Sequence, residues 1–265
     1  MPHSGRVAFL VARGMGTQTN KSMSLQHLRV YSTPPHACSY LEGETAVNAV
    51  LDPGIRLTPA LYSYLIDHGF RRSGGHVYAP HCPDCSGCLS SRIRVSRFEP
   101  TRSQRRCLKR NRDLTVRVVE ARYTDEYFDL YQRYLMTRHP DGEMSNTSPV
   151  KFRDFLLADW CDTVFIELRL GGKLLGVAVT DVLEQGFSAV YTFFDATERK
   201  RGLGVFSILS QISQARHFGL PLVYLGYLIE DCPKMRYKSD YHPLETLVQG
   251  QWRDFTPSPT QPESP

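Results

Sequence analysis

Cys82, Cys85 and Cys88 form a Cys-x-x-Cys-x-x-Cys array, which places three thiolates on one short loop. A soft metal wants a fourth ligand, and Cys38, His81 or His36 could supply it; zinc and an iron–sulfur cluster both fit this spacing. The plainer alternative is a set of reduced thiols packed in a small core. The chain holds seven cysteines, an odd number. That count argues for a reducing compartment such as the cytoplasm, and against a disulfide scaffold.

Two other stretches could handle an anion. Arg199-Lys-Arg-Gly-Leu-Gly204 lies where an aromatic strand (Ala189 to Phe194) would feed an amphipathic helix. Glycines there let backbone N–H groups at a helix N-terminus close on a phosphate or carboxylate. Tyr224 to Pro243 starts as a strand and breaks at Gly226 and Pro233. Its loop interleaves Lys234, Arg236 and Lys238 with Tyr227, Tyr237 and Tyr241. Between Arg92 and Arg112 there are nine basic residues and one acidic, Glu99. Such asymmetry is the footprint of a phosphate-backbone partner, here a folded RNA touched by shape and charge. No base-reading module is visible.

These groups need a frame. Thr58 and Pro59 open a helix with Leu61, Tyr64, Leu65 and His68 on one side, stopped by Gly69. A Gly74-Gly75 turn leads to a strand at His76–Ala79, and another strand surrounds Ser91–Val95. Thr101 or Ser103 caps a helix carrying Arg102, Arg105, Arg106, Lys109 and Arg110, while Cys107 and Leu114 face a core. Helices follow over Asp125–Arg138 and Pro149–Trp160. A meander of Val164–Leu170, Leu174–Val182 and Ala189–Phe194 comes next, with turns at Gly171-Gly172 and Gly186. The glycine-turn helix presents Val205, Ile208, Leu209 and Ile212 on one face. It leads to a strand over Leu220–Leu225, and a last strand runs from Leu244 to Trp252. The fold class is α+β. The polar segment His139–Ser148 reads as a lid or a linker.

Composition narrows the rest. Of 265 residues, 41% are hydrophobic and 22% charged, so a packed core is expected. A net charge of +5 is only mildly basic, which makes the clustering of arginines the informative feature. No apolar run approaches the ~18 residues of a membrane span. Residues 1–24 read as a disordered extension, 25–120 as a cysteine-containing amino-terminal domain, 121–255 as the second domain, and 256–265 as a proline-rich disordered tail.

Five stretches together resemble the leucyl/arginyl-tRNA–protein transferase family: Thr33-Pro-Pro-His-Ala-Cys-Ser-Tyr-Leu41, Cys82–Cys88, Thr101-Arg-Ser-Gln-Arg-Arg106, Arg201-Gly-Leu-Gly204 and Tyr224–Pro243. They occur in family order across roughly Leu25 to Phe255, and the match is best to the short bacterial form that leucylates proteins beginning with Asp or Glu. Leu228 stands where the family has tryptophan, and Tyr241 where phenylalanine is common. The resemblance implies a GCN5-related N-acyltransferase-like carboxyl domain, a smaller cysteine-bearing amino-terminal domain and no required diffusible cofactor. Metal at Cys38, Cys82, Cys85 and Cys88 is an expectation it carries over from eukaryotic relatives. The partners it implies are leucyl-tRNA and proteins with N-terminal Asp or Glu, with no membrane.

On that reading, Arg199, Arg201, Gly202, Gly204, Tyr224 and Gly226 bind the donor. Lys234, Arg236, Tyr237 and Lys238 bind the acceptor, with Arg71 and Arg72 standing behind them. Arg102, Arg105, Arg106, Lys109 and Arg110 hold tRNA. Glu230, Asp231 and Tyr227 are the catalytic candidates, the two carboxylates as bases. An arginyl-tRNA donor, a CoA-dependent N-acyltransferase and a non-enzymatic zinc-ribbon RNA-binding protein are the alternatives.

Overall fold

A computed structural model describes residues 28–138 and 147–258. The amino-terminal extension, most of the His139–Ser148 segment and most of the tail lie outside the described residues. The architecture is α+β, organised around an eight-stranded sheet of order β14-β13-β7-β12-β11-β10-β9-β8. Its strands are β7 (Leu89–Arg94), β8 (Thr115–Glu120), β9 (Asp162–Leu170), β10 (Lys173–Leu183), β11 (Gly186–Phe194), β12 (Leu222–Leu228), β13 (Leu244–Val248) and β14 (Gln251–Asp254). β7 comes from the cysteine-containing segment and sits between β12 and β13, so the sheet takes strands from both halves of the chain. A four-stranded sheet of order β1-β4-β6-β5 packs beside it, built from β1 (Val30–Ser32), β4 (Asn48–Leu51), β5 (Arg71–Ser73) and β6 (His76–Pro80). Two short strands, β2 (His36–Ala37) and β3 (Thr45–Ala46), make a ribbon.

Helices cover both faces, which is why β10 is buried along nearly its whole length. On one face lie α5 (Leu203–His217) and α2 (Arg102–Arg110), in a core with Phe206, Leu209, Ile212, Cys107 and Ile93. On the other lie α3 (Asp125–Arg138) and α4 (Pro149–Leu156), packed through Tyr131, Leu135 and Phe152 onto Phe165 and Phe193. A third cluster joins α1 (Pro59–Asp67) to β10 and β12 through Tyr62, Leu65, Leu183 and Tyr224.

The expected elements are present with five corrections. The α1 stripe turns by one residue: Leu61, Tyr62, Leu65 and Ile66 are buried, because the Tyr62 hydroxyl reaches a buried carboxylate, while His68 is exposed. α4 ends at Leu156 rather than Trp160; Leu157 turns extended and lets the Trp160 ring pack edge-on against Tyr62 at 4.9 Å. β12 does not stop at Leu225 but continues to Leu228, crossing a bulge at Gly226, whose φ of 80° suits glycine. The last strand is a hairpin, reversed at Gln249-Gly250 with both φ values positive. Gly186, expected in the turn, begins β11 instead. A Cβ there would come 2.2 Å from the Leu222 carbonyl oxygen, so only glycine allows β12 this close.

Candidate active site

The meander β9-β10-β11 is antiparallel, but α5 returns the chain so that β12 runs parallel to β11. That pairing lasts only from Gly186–Ser188 against Leu222–Tyr224. Beyond it the two strands have no shared ladder, and their carboxyl ends lead into the two loops singled out by the sequence. This is the layout expected of an N-acyltransferase-like domain.

The first loop is the glycine turn. Arg199–Arg201 form a short 3-10 turn, and Gly202 adopts the left-handed conformation (φ 66°) that starts α5. Among the described residues no side chain caps α5, which leaves its first-turn amides able to meet an anion. Arg201 itself is engaged: Asp113 takes both its Nη atoms at 2.9 Å and Glu198 accepts from Nε at 3.2 Å. What the turn offers at its apex is therefore backbone, with Arg199 and Lys200 alongside.

The second loop, 229–243, divides its cations. Lys234, Arg236 and Tyr237 are exposed, whereas Lys238 is buried at 4% exposure. Lys238 Nζ donates to the Tyr227 carbonyl at 2.7 Å and meets Met235 Sδ at 3.5 Å. Burial, and after it the nearby Arg71 guanidinium, push its pKa down to about 8. The Tyr227 hydroxyl donates to the Gly69 carbonyl at 2.9 Å, and burial holds its pKa well above the ordinary range; it braces β12 rather than offering a base. Tyr224 likewise gives its hydroxyl to Asp67 at 2.7 Å, which ties β12 to the end of α1. Glu230 accepts from the Ser258 N–H and Oγ–H at 2.9 and 3.0 Å, and Asp231 is exposed.

Helix α2 joins the two loops. A capping box starts it, with Thr101 and Gln104 exchanging bonds. Gln104 Nε2 then donates to the Asp240 carbonyl at 3.1 Å, while Asn111 Nδ2, just past its end, donates to the Arg201 carbonyl at 2.8 Å. Arg110 reaches the Lys200 carbonyl, and Arg105 the Pro100 carbonyl. Arg102, Arg105, Arg106, Lys109 and Arg110 form its exposed face. The start of the basic run serves differently: Arg92 and Arg94 pair with Glu245, Arg92 also with Asp67, and Arg97 with Asp254. Those three arginines hold strands β7, β13 and β14 and the end of α1.

A cavity of about 520 Å³ opens beside the end of β12, lined by Thr33, His36, Cys38, Tyr78, Cys88 and Tyr227 among others. The cysteine loop thus flanks β12 and Lys238. Burial, then Cys38, Cys82 and Cys85, push the Cys88 thiol up to about 11. The Cys38 and Cys85 sulfurs each accept an N–H from two residues on, at 3.5 Å. The donor set suits a soft metal, but as placed the sulfurs do not make a coordination shell: among the described residues no three His, Cys, Asp or Glu groups converge on one point.

One buried group lies outside every motif named above. Asp181, within β10, accepts from Tyr62 Oη (2.8 Å), Thr163 Oγ1 (2.8 Å) and the Nε and Nη2 of Arg72 (2.6 and 2.8 Å). Arg72, a fallback acceptor reader, is consumed here. An aspartate inside an otherwise apolar strand was the signal that could have found this knot.

The family profile "Arginine-tRNA-protein transferase, N terminus" matches residues 36–106, and "Arginine-tRNA-protein transferase, C terminus" matches residues 126–248. An aspartate/glutamate leucyltransferase of Pseudomonas fluorescens (strain Pf0-1) is 49% identical over 228 residues, covering 86% of this chain and 97% of the relative. Those of Alcanivorax borkumensis and Stenotrophomonas maltophilia are 50% and 51% identical, over 87% and 86% of this chain and 95% and 93% of theirs. Among solved structures, L-PGS from Bacillus licheniformis aligns at a TM-score of 0.42 and 10% identity, over 53% of this chain and 45% of that one, too weak a likeness to build on. With both family profiles matched in order and half the residues shared along almost the whole length of these relatives, the chain belongs to the arginine-tRNA–protein transferase family, among its aspartate/glutamate leucyltransferases.

Proposed function

We propose that this aminoacyltransferase moves leucine from leucyl-tRNA to the α-amine of proteins that begin with Asp or Glu, in the cytoplasm, and so marks them for degradation. The observation that carries the reading is the bonding of α2 to both loops, which makes the basic face, the glycine turn and the lysine loop one unit. The ester donor is already activated, and the acceptor amine has an ordinary pKa of about 8. The amine nitrogen attacks the ester carbonyl carbon, the bond to the ribose oxygen breaks, and the amine's proton ends on that oxygen. Alignment and backbone donors for the tetrahedral oxyanion then matter more than a covalent nucleophile. The α5 amides near Gly202 and Gly204 suit the donor's terminal phosphates. Glu230 and Asp231 are the carboxylates that the lysine loop offers as bases.

Incubation of the purified chain with an Asp-initiated peptide and radiolabelled leucyl-tRNA, arginyl-tRNA or acetyl-CoA tests it. Leucine should be transferred. Transfer from either of the other donors alone would replace the reading, and tRNA retention without any transfer would leave a binding protein. Among the described residues no helix is long and apolar enough to cross a membrane.

The exposed face of α2 supplies the tRNA contacts in this reading. Charge reversal at Arg102, Arg106 and Lys109 should weaken all tRNAs alike and lower the salt slope by roughly one unit per lost phosphate contact. An unchanged slope in a titration at several salt concentrations would remove the helix from the interface.

Cys38, Cys82, Cys85 and Cys88 are proposed to draw together on a soft metal. Elemental analysis after anaerobic purification should find zinc or iron near one equivalent. Four freely titrating thiols with neither metal would reject ligation.

A further inference from the structure

Arg71 is 6% exposed, yet its Nε and Nη2 have no hydrogen-bond partner. Among the described residues its only hydrogen bonds run from Nη1 to the Ile66 and Phe70 carbonyls. Arg72, the next residue, shows what the missing partner should be. On the opposite face of β5, its own Nε and Nη2 grip the Asp181 carboxylate in a two-pronged contact. The same edge of Arg71 is buried with no polar partner among the described residues, its guanidinium carbon 5.8 and 5.5 Å from the ring centroids of Tyr224 and Tyr227. Lys238 deepens the imbalance, because it too is buried and among the described residues meets only neutral groups: the Tyr227 carbonyl, the Met235 thioether and the Tyr237 ring, 5.0 Å from its Nζ. No carboxylate pairs with either cation among the described residues. Two buried like charges without an anion are unfavourable, and a ligand that brings the anion removes the penalty.

Position relates this edge to the cavity. Ser73 shares a strand face with Arg71, and Tyr78 is its register partner; both line the cavity. The Arg71 guanidinium carbon lies 5.5 Å from the centroid of the Tyr227 ring, which lines it too. Tyr78 and Tyr227 stand 6.3 Å apart, ring to ring, so the guanidinium is one aromatic layer behind the wall.

We propose that Arg71, with Lys238 beside it, is the receptor for the side-chain carboxylate of the acceptor's first residue, reached between Tyr78 and Tyr227. The assignment rests on the transferase reading above and moves the specificity-determining cation from the exposed Lys234 and Arg236 to a buried arginine. A desolvated two-pronged contact corresponds to roughly a ten- to hundredfold preference for Asp over its uncharged isostere Asn.

The test uses the full chain with uncharged tRNA present and titrates Asp-initiated and Asn-initiated peptides by calorimetry. Wild type should show the preference, Arg71→Met should bind both peptides about equally, and Arg71→Lys should recover part of the difference. Arg71→Met gives up the two Nη1 bonds to the Ile66 and Phe70 carbonyls but also removes a buried charge that has no counter-ion among the described residues, so its melting temperature should stay within a few degrees of wild type. A preference that survives in Arg71→Met, or one missing from wild type, overturns the assignment. So does an Arg71→Met melting temperature well below wild type, which would make the arginine structural. Failure to transfer leucine with the binding preference intact would defeat the transferase reading while leaving the carboxylate receptor in place.

Discussion

Asp181→Asn is expected to destabilise the protein by about 3–5 kcal/mol, the range for breaking a buried ion pair from one side. Arg72 and Asp181 are 1% and 0% exposed, so water cannot replace the lost partner. Tyr62 and Thr163 would lose their charged acceptor as well. Total stabilities are about 5–15 kcal/mol, so the variant would sit close to unfolding. Urea titration gives the number, and a loss below ~1 kcal/mol would mean that the knot is not closed as described. The double change Arg72→Met with Asp181→Leu should recover much of the loss, because removing both charges leaves neither stranded.

Lys238→Met should act in the opposite direction on stability. The folded-state pKa of Lys238 is near 8 against an ordinary 10.5. Charging it below pH 8 therefore opposes folding by about 3 kcal/mol. Methionine has similar length and no charge, and losing the bond to the Tyr227 carbonyl returns about 1 kcal/mol, so a net gain near 2 kcal/mol is expected at pH 7. The sign with pH follows from proton counts. Between pH 8 and 10.5 the unfolded lysine keeps a proton that the folded one has released, so this group's contribution makes wild type more stable as pH rises. The buried tyrosines, raised by burial above their ordinary range, are common to both proteins, so the difference between wild type and variant isolates the lysine. That difference should be constant below pH 8 and shrink above it; a pH-independent difference would contradict a buried, depressed lysine. The same variant should bind Asp-initiated peptides less well, since it removes one of two cations from the acceptor end.

Local elements were legible where side chains near in sequence decide them. Thr58-Pro59, the Thr101 cap, the Asp125–Arg138 helix and the glycine turn before α5 all follow from capping and periodicity. The family's motifs likewise mark the cavity wall, through Thr33, His36, Cys38 and Cys88. What escaped depends on partners distant in the chain. β7 looked like part of a separate domain because nothing local says that its neighbours will be β12 and β13. Arg92, Arg94 and Arg97 looked like part of an RNA-facing run because their carboxylates lie roughly 150 residues away or on α1, and charge density alone cannot tell a paired arginine from a free one. In the loop Lys234-x-Arg236-x-Lys238 all three cations look alike. Only the return of the chain over Tyr227 buries the last and exposes the others.

Adjacent arginines on β5 face different masters, and selection should see them differently. Arg72 is held by the fold, whereas Arg71 and Lys238 are tolerated by it. In a library sorted only for soluble, folded protein, codons 72 and 181 should stay fixed while 71 and 238 drift toward apolar residues. Sorting the same library for leucine transfer should pull 71 and 238 back. High expression of a variant of this chain would then say little about its competence, and the best-behaved variants would include the inert ones.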